Sequence, residues 1–314
     1  MIGAVVVIAA TGFYDDVREL RFQRKFVVQI AVAVVLVAAG YRFEVAWSPT
    51  IAGTPLDLTL LAWPLSILWF VGMMNALNLI DGVDGLAASL SVVAAVGLMM
   101  VVGGGEATVI TVTLVGALGA FLSFNRHPAT IFMGDSGSLL LGLLLAALAV
   151  SGPVESQYPV QALLAPVMVL GIPITDTLLA ILRRVHAGRS PFEPDRDHLH
   201  HRILQDIHPS HWAPVGYLSA VGVCFALLGV ALVHAPLTMT MILILAFAGV
   251  ISLVVWWLGY FKEFHRSSLP GASDAMCEGD GSVGVEPPVP AGSTAESPQK
   301  EDLVSHRTQV LSTK

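Results

Sequence analysis

WPLSILWFVGMMNALNLIDGVDGLAASLSVVAAVGLMM, residues 63–100, decides the fold class. Two apolar runs flank a short turn of Asp and Gly. Each run approaches the ~20 mostly apolar residues that a helix needs to cross the hydrocarbon core of a bilayer. The rest of the chain repeats that pattern. Of 314 residues, 55% are hydrophobic and only 12% charged, with a mean hydropathy of +0.74. A soluble domain carries about 25% charged residues, so lipid is the solvent this chain expects. A net charge of −7 excludes a generally basic nucleic-acid binder, and no nucleic-acid partner is expected. Cys224 and Cys277 are the only cysteines, too few for a disulfide framework. The fold class expected is all-α, a polytopic membrane helix bundle.

Apolar runs fall at 26–42, 61–80, 87–103, 107–125, 137–152, 160–182, 213–233 and 238–260, which predicts eight transmembrane helices. A further run opens the chain, from Met1 to Phe13. It is too short to span and lacks the basic flank and cleavage site of a signal peptide, so it reads as the second half of a helix that begins upstream. Loops alternate sides. One side receives Arg18, Arg21, Arg24, Lys25, Arg126, Arg183, Arg184, Arg189, Arg196, Arg202, Lys262 and Arg266; the other receives Arg42. Cytoplasmic loops carry the excess of Lys and Arg, so the C-terminus is expected in the cytoplasm and the protein in the inner (plasma) membrane. Residues 1–266 form the membrane domain. Residues 267–314, rich in Pro, Gly, Ser and acids, cannot bury enough apolar surface to offset ordering entropy and are expected to be a disordered cytoplasmic tail.

Four clusters of unusual polar residues near membrane level all fall on the cytoplasmic side of this count. Asp15 and Asp16 follow the opening run in GFYDDVREL, with Lys25 ten residues on. Two adjacent acids serve either as helix caps or as a cation or proton site. Lys25 suits a phosphate, or simply the positive-inside rule. In NALNLIDGVDGLA, residues 75–87, Asn75, Asn78, Asp81 and Asp84 recur every three residues. Three-residue steps spiral around an α-helix, so these four share no helical face. The expected geometry is a helix ending near Leu79, with Gly82 and Gly85 turning the carboxylates toward a common point. Such polar groups against an apolar span are costly unless they meet one another, water or a ligand.

FNRHPATIFMGDSGS, residues 124–138, places Asp135 at the expected start of a helix. It is either an N-cap or a hard oxygen ligand beside an anion-binding helix terminus. Aspartates around phosphate, without a Cys/His set, fit Mg²⁺, with Mn²⁺ as the alternative, better than Zn²⁺. His198, His200 and His201 lie in DRDHLHHR with Arg196 and Arg202 beside them, a positive cradle for a diphosphate or a solvated charged loop. His127, His186, His208, His211, His234 and His265 read as loop residues. Asp176, in PITDTLLAILRR, is an intramembrane acid, explained by function or by a hydrogen bond to a neighbouring helix.

In this order, GFYDDVREL with Lys25 and Gln29, NALNLIDGVDGLA, FNRHPATIFMGDSGSLLLG and SPFEPDRDHLHHRIL resemble the polyprenyl-phosphate N-acetylhexosamine-1-phosphate transferases. The HLHH form is similar to the GlcNAc-1-phosphate branch. The resemblance implies transfer of a sugar 1-phosphate, GlcNAc-1-phosphate first among them, from a UDP-N-acetylhexosamine to polyprenyl phosphate, releasing UMP at the cytoplasmic face. By the same resemblance Asp15 and Asp16 bind metal or take the proton of the lipid phosphate, and Asp135 is the principal Mg²⁺ ligand. Asn75, Asn78, Asp81, Asp84 and Asn125 surround nucleotide and metal. His198, His200 and His201 lie near the sugar diphosphate, and Lys25 near a phosphate. A homodimer is the candidate assembly. Relatives have ten or eleven spans, so an upstream pair of helices and most of a third are expected to be missing here. An ion-coupled transporter and an Asp-rich prenyltransferase are the rivals from other classes.

Overall fold

The computed structural model describes residues 1–43, 50–51, 54–55, 59–151, 159–186, 188–190, 198–207 and 210–258. Eleven α-helices account for nearly all regular structure among these residues. They are α1 (Ile2–Arg18), α2 (Phe22–Ala38), α3 (Thr59–Ile80), α4 (Leu86–Val102), α5 (Glu106–Asn125) and α6 (Gly134–Ala149). There follow α7 (Pro159–Val169), α8 (Gly171–His186), the short α9 (Leu199–Arg202), which runs into a π-helical turn at Ile203–Ile207, α10 (Trp212–Val233) and α11 (Leu237–Trp257). One feature departs from an all-α chain: Thr50–Ile51 (β1) pairs antiparallel with Thr54–Pro55 (β2). The expected tail at 267–314 lies outside the described residues.

Four helices are long and apolar enough to cross a membrane by themselves: the segments Leu61–Ile80, Ala107–Asn125, Trp212–Val233 and Leu237–Trp257. Leu86–Val102 and Gly134–Ala149 are apolar but shorter, at 17 and 16 residues. At 1.5 Å per residue each rises about 25 Å, short of a ~30 Å hydrocarbon core. The chain is thus a multi-pass membrane helix bundle, with four helices that span by length among the described residues, or five with a broken one, against the eight expected. That broken span is the run at 160–182. It divides into α7 and α8, bent by 82°. Pro173 causes the break: it has no N–H to give to the carbonyl of Val169, and its ring crowds that carbonyl. Gly171 at the corner packs against Phe225 of α10 so closely that a Cβ would overlap the ring.

The centre of the bundle is α3 against α6, with Met73, Met74, Leu77, Leu139 and Leu143 buried between them. Gly142 brings the two backbones into contact; a Cβ there would lie 2.5 Å from the Cα of Met74. Gly12 does the same for α1 against the backbone of Ser136 at the start of α6. Small residues at such crossings let helices approach where lipid offers no hydrophobic drive for association. At the periphery, α11 has a segment of mean hydropathy 2.5 of which only 11% is buried. An apolar helix that keeps its sides uncovered matches a lipid surroundings.

The opening run differs from expectation in one respect that matters for the site. The helix continues past Phe13 to Arg18, so Asp15 and Asp16 sit in its last turns instead of a following loop. Glu19 then adopts left-handed backbone, φ 47°, and turns the chain into α2. Two carboxylates at a helix C-terminus face the negative end of their own helix dipole. Their compensation has to come from elsewhere in the bundle.

Candidate active site

That compensation comes from two neighbours. Asp16 reaches the N-terminus of α6, where its Oδ1 accepts the N–H of Asp135 at 2.8 Å and its Oδ2 the N–H of Ser136 at 3.2 Å. The residue before α6, Met133, supplies no side-chain cap, so α1 caps α6 across 119 residues of chain. Gly134, at φ 62°, is required here: a Cβ would come within 2.8 Å of the Asp16 carboxylate. Asp15 takes the other compensation. Its Oδ2 accepts the Lys25 ammonium at 2.8 Å and its Oδ1 the N–H of Leu20 at 2.5 Å. Lys25 also donates to Oδ2 of Asp135, so one ammonium joins carboxylates from α1 and α6. The remaining oxygen of Asp135, Oδ1, accepts Asn78 Nδ2 at 2.7 Å. Asn78 is 3.0 Å from Ser138 Oγ as well, which anchors the end of α3 to the first turn of α6.

The α3–α4 turn folds over this group. As expected, α3 stops at Ile80, and Asp81–Gly85 form a glycine-bearing turn before α4. Asn125 at the end of α5 holds the turn: its Oδ1 accepts the N–H of Gly85 at 2.9 Å while its Nδ2 donates to the carbonyl of Ile131. Asp84 Oδ2 lies 2.9 Å from His127 Nδ1 and accepts the N–H of Ala129 at 3.1 Å. The His127 ring stacks on His211, centroids 4.1 Å apart and nearly parallel. These bonds to the charged form hold the Asp84 carboxyl below its ordinary range. Asp81 is its opposite. It has no hydrogen-bond partner among the described residues, and its carboxyl is pushed up to about 7, by burial first and then by the negative charges of Asp135, Asp16 and Asp84. Asn78, Asp81, Asp84, Asn125, Phe132 and Asp135 line a cavity of about 360 Å³.

The histidine segment packs against the turn that bears Asp81 and Gly82. His198 and His200 are both buried, with rings parallel and 5.8 Å apart, and His201 lies 4.3 Å beyond His200. His200 packs so close to Gly82 that any side chain there would strike its Nε2. That nitrogen has no hydrogen-bond partner among the described residues. Burial, helped by the neighbouring His201, pushes the His200 imidazolium down to about 4, so the ring is neutral at pH 7.

A profile for glycosyl transferase family 4 matches residues 1–153. The "Probable undecaprenyl-phosphate N-acetylglucosaminyl 1-phosphate transferase" of Bacillus subtilis (strain 168) is 36% identical over 247 residues, covering 77% of this chain and 68% of the relative. The chain belongs to glycosyl transferase family 4. The "Decaprenyl-phosphate N-acetylglucosaminephosphotransferase" of Mycolicibacterium smegmatis is 44% identical over 232 residues, covering 64% of this chain and 56% of the relative. The "Phospho-N-acetylmuramoyl-pentapeptide-transferase" of Geobacillus thermodenitrificans is 32% identical, covering 70% and 69%. This family 4 chain therefore spans between about half and two thirds of the length of these relatives.

Most residues singled out in the sequence of this family 4 transferase meet at one end of the bundle. Asp15, Asp16, Lys25, Asn78, Asp81, Asp84, Asn125 and Asp135 form one connected group, and His200 touches its edge through Gly82. Asn75 stands apart. Its amide is paired with that of Gln29 on α2, Nδ2 to Oε1 at 2.7 Å, and it does not line the cavity. Lys25 engages carboxylates where a phosphate was expected, and Arg196 lies outside the described residues. Among the described residues no three His, Cys, Asp or Glu side chains converge as a metal cage. Two loop histidines, His127 and His211, also belong to the group, through Asp84. Only the position of His127, two residues beyond Asn125 in the same motif, pointed that way.

Proposed function

We propose that this membrane transferase moves a sugar 1-phosphate, GlcNAc-1-phosphate in the first instance, from a UDP-N-acetylhexosamine to polyprenyl phosphate in the plasma membrane. The observation that carries the reading is the Lys25 ammonium held between Asp15 and Asp135 at the edge of a carboxylate-lined cavity. Family membership and the names of the relatives support the same chemistry. In the reaction an oxygen of polyprenyl phosphate forms a bond to the sugar-bearing phosphorus of the donor. The bond from that phosphorus to the bridging oxygen breaks, and UMP leaves with the electron pair. Protein catalysis of such a step is mostly positioning and neutralisation of charge.

Mg²⁺ is the cofactor this donor set suits. It takes one or two carboxylates together with substrate phosphates and retained waters, and needs no closed protein cage. Lys25 already serves as a stand-in cation between two carboxylates from different helices. Asp135, with Asp16 fixing the backbone beneath it, would hold the ion, which when bound neutralises diphosphate oxygens. Asp81, without a partner and with a carboxyl near 7, is the group free to take a proton from an arriving phosphate. Asn78 and Asn125 set the cavity walls, and Asp84 and Asn125 fix the turn that carries Asp81. The HLHH segment closes the side facing the sugar diphosphate. The excess of Lys and Arg in the loops at this end supports a cytoplasmic site, where a water-soluble nucleotide sugar and a lipid phosphate can meet. Acids gathered at helix ends argue against a transporter, whose site belongs near the bilayer midplane.

Membranes containing the chain, supplied with labelled UDP-GlcNAc, polyprenyl phosphate and Mg²⁺, test the reading. Release of UMP with a lipid-linked sugar phosphate, abolished by Asp135→Asn, is expected. Absence of product with every UDP-N-acetylhexosamine tried overturns it, and pyrophosphate release in place of UMP points to prenyl transfer.

A further inference from the structure

Asp176 takes no part in the cavity, yet it is 1% exposed and both its oxygens are used on the histidine segment. Oδ2 lies 3.0 Å from His198 Nδ1, and Oδ1 accepts the N–H of Leu199 at 2.9 Å. A fully buried carboxylate is costly unless its oxygens are satisfied, and here one short segment satisfies both. The acid sits on α8, in the first turns after the 82° bend, so the broken helix delivers it to this place. An ionised carboxylate only accepts hydrogen bonds, so His198 must carry a proton on Nδ1. His198 stands parallel to His200, and His200 rests on Gly82, the neighbour of Asp81.

We propose that Asp176 is a positioning residue for the transfer. It fixes the proton of His198 on Nδ1 and pins the start of α9, and through the stacked rings it holds His200 against the turn that bears Asp81. Buried hydrogen-bond partners of this kind orient a functional imidazole without touching substrate. The inference rests on the transferase reading for its effect on turnover, but the hold on His198 is measurable without turnover.

The experiment compares the purified full chain with Asp176→Asn, Asp176→Glu and Asp176→Ala. ¹⁵N NMR of the imidazoles, with the His198 signal identified by its loss in His198→Gln, reports which ring nitrogen bears the proton. Steady-state turnover of UDP-GlcNAc and polyprenyl phosphate is measured alongside thermal unfolding. In Asp176→Asn the new amide can donate to Nδ1, so the His198 proton is expected to leave Nδ1 for Nε2. kcat should fall about 10- to 100-fold with little change in KM, while the unfolding temperature stays close to that of the unaltered protein. Asp176→Glu should restore the Nδ1 proton and part of kcat, and Asp176→Ala should restore neither. An Nδ1 proton that persists in Asp176→Asn overturns the proposal, as does an unchanged kcat or a kcat loss that only tracks unfolding. If the unaltered chain turns over no UDP-N-acetylhexosamine, the transferase reading falls with the catalytic half of the proposal, and the ring proton still decides whether Asp176 governs His198.

Discussion

Asp16, Asp81 and Asp84 are close in space and chemically alike, yet their surroundings give them different work. Asp16 has both oxygens committed to backbone N–H groups of α6, and Asp84 is committed to His127 and Ala129. Of these three, Asp81 alone has no hydrogen-bond partner among the described residues. Because its carboxyl lies near 7 in the fold against 3.8 ordinarily, the folded state holds the Asp81 proton more tightly than the unfolded one. Its contribution to stability is complete below pH 3.8 and is lost as pH rises through about 7. In chelator-treated protein, Asp81→Asn should melt close to the unaltered chain near pH 4 and above it at pH 8. Thermal unfolding across that range checks this, and a gap that does not widen with pH would remove Asp81 as the strained acid. Asp16→Asn keeps one acceptor but loses the second N–H bond and the charge at the α6 terminus. It should lower turnover by at least about tenfold at a cost of about 1–2 kcal/mol in stability. The sequence made the acids visible because carboxylates in apolar surroundings stand out. It did not divide their roles, because that depends on which N–H groups arrive from distant helices.

At the scale of elements, glycines and amides decide how closely helices meet. Gly12→Ala would push a methyl into the backbone of Ser136, whereas Gly3→Ala on the same helix meets nothing within 4 Å. The first should destabilise the chain by about 1–3 kcal/mol and reduce turnover by moving Asp15 and Asp16 off α6; the second should do neither. Parallel melting curves and UMP assays distinguish them. Between α2 and α3, Gln29 is fully buried and Asn75 pairs with it. Gln29→Leu alone leaves the Asn75 amide without this partner and should cost about 1–3 kcal/mol, while Gln29→Leu with Asn75→Leu should recover most of it. If the double variant regains stability but not activity, Asn75 acts on substrate after all. Apolar periodicity located α3, α5, α10 and α11 within a few residues, since a spanning helix must be apolar along its length. The break at Leu170 leaves no trace in the apolar pattern because the run 160–182 is apolar on both sides of it. Pro173 was the available signal.

For the whole molecule the prediction concerns sidedness. In a background of Cys224→Ser and Cys277→Ser, Thr130→Cys in the α5–α6 loop and Gly104→Cys in the α4–α5 loop should react with a membrane-impermeant thiol reagent from opposite faces of sealed vesicles. Thr130→Cys should label from the cytoplasmic face, and labelling of both positions from one face would refute the arrangement. The positive-inside pattern of the sequence is the basis of this expectation. The Asp176–His198 and Asp84–His127 pairs were hidden, since each joins residues 22 and 43 positions apart and leaves no periodic trace. The longest of these bonds, Asp16 to the N-terminus of α6, also sets a schedule for biogenesis. A ribosome adds about 5–20 residues per second, so roughly 6–24 s separate synthesis of Asp16 from that of the amides it caps. Through that interval Asp15 already has Leu20 and Lys25 beside it, while Asp16 waits uncompensated as α3, α4 and α5 are made. The site is therefore sealed late, and a nascent chain stalled before Gly134 should lack the α1–α6 cap altogether.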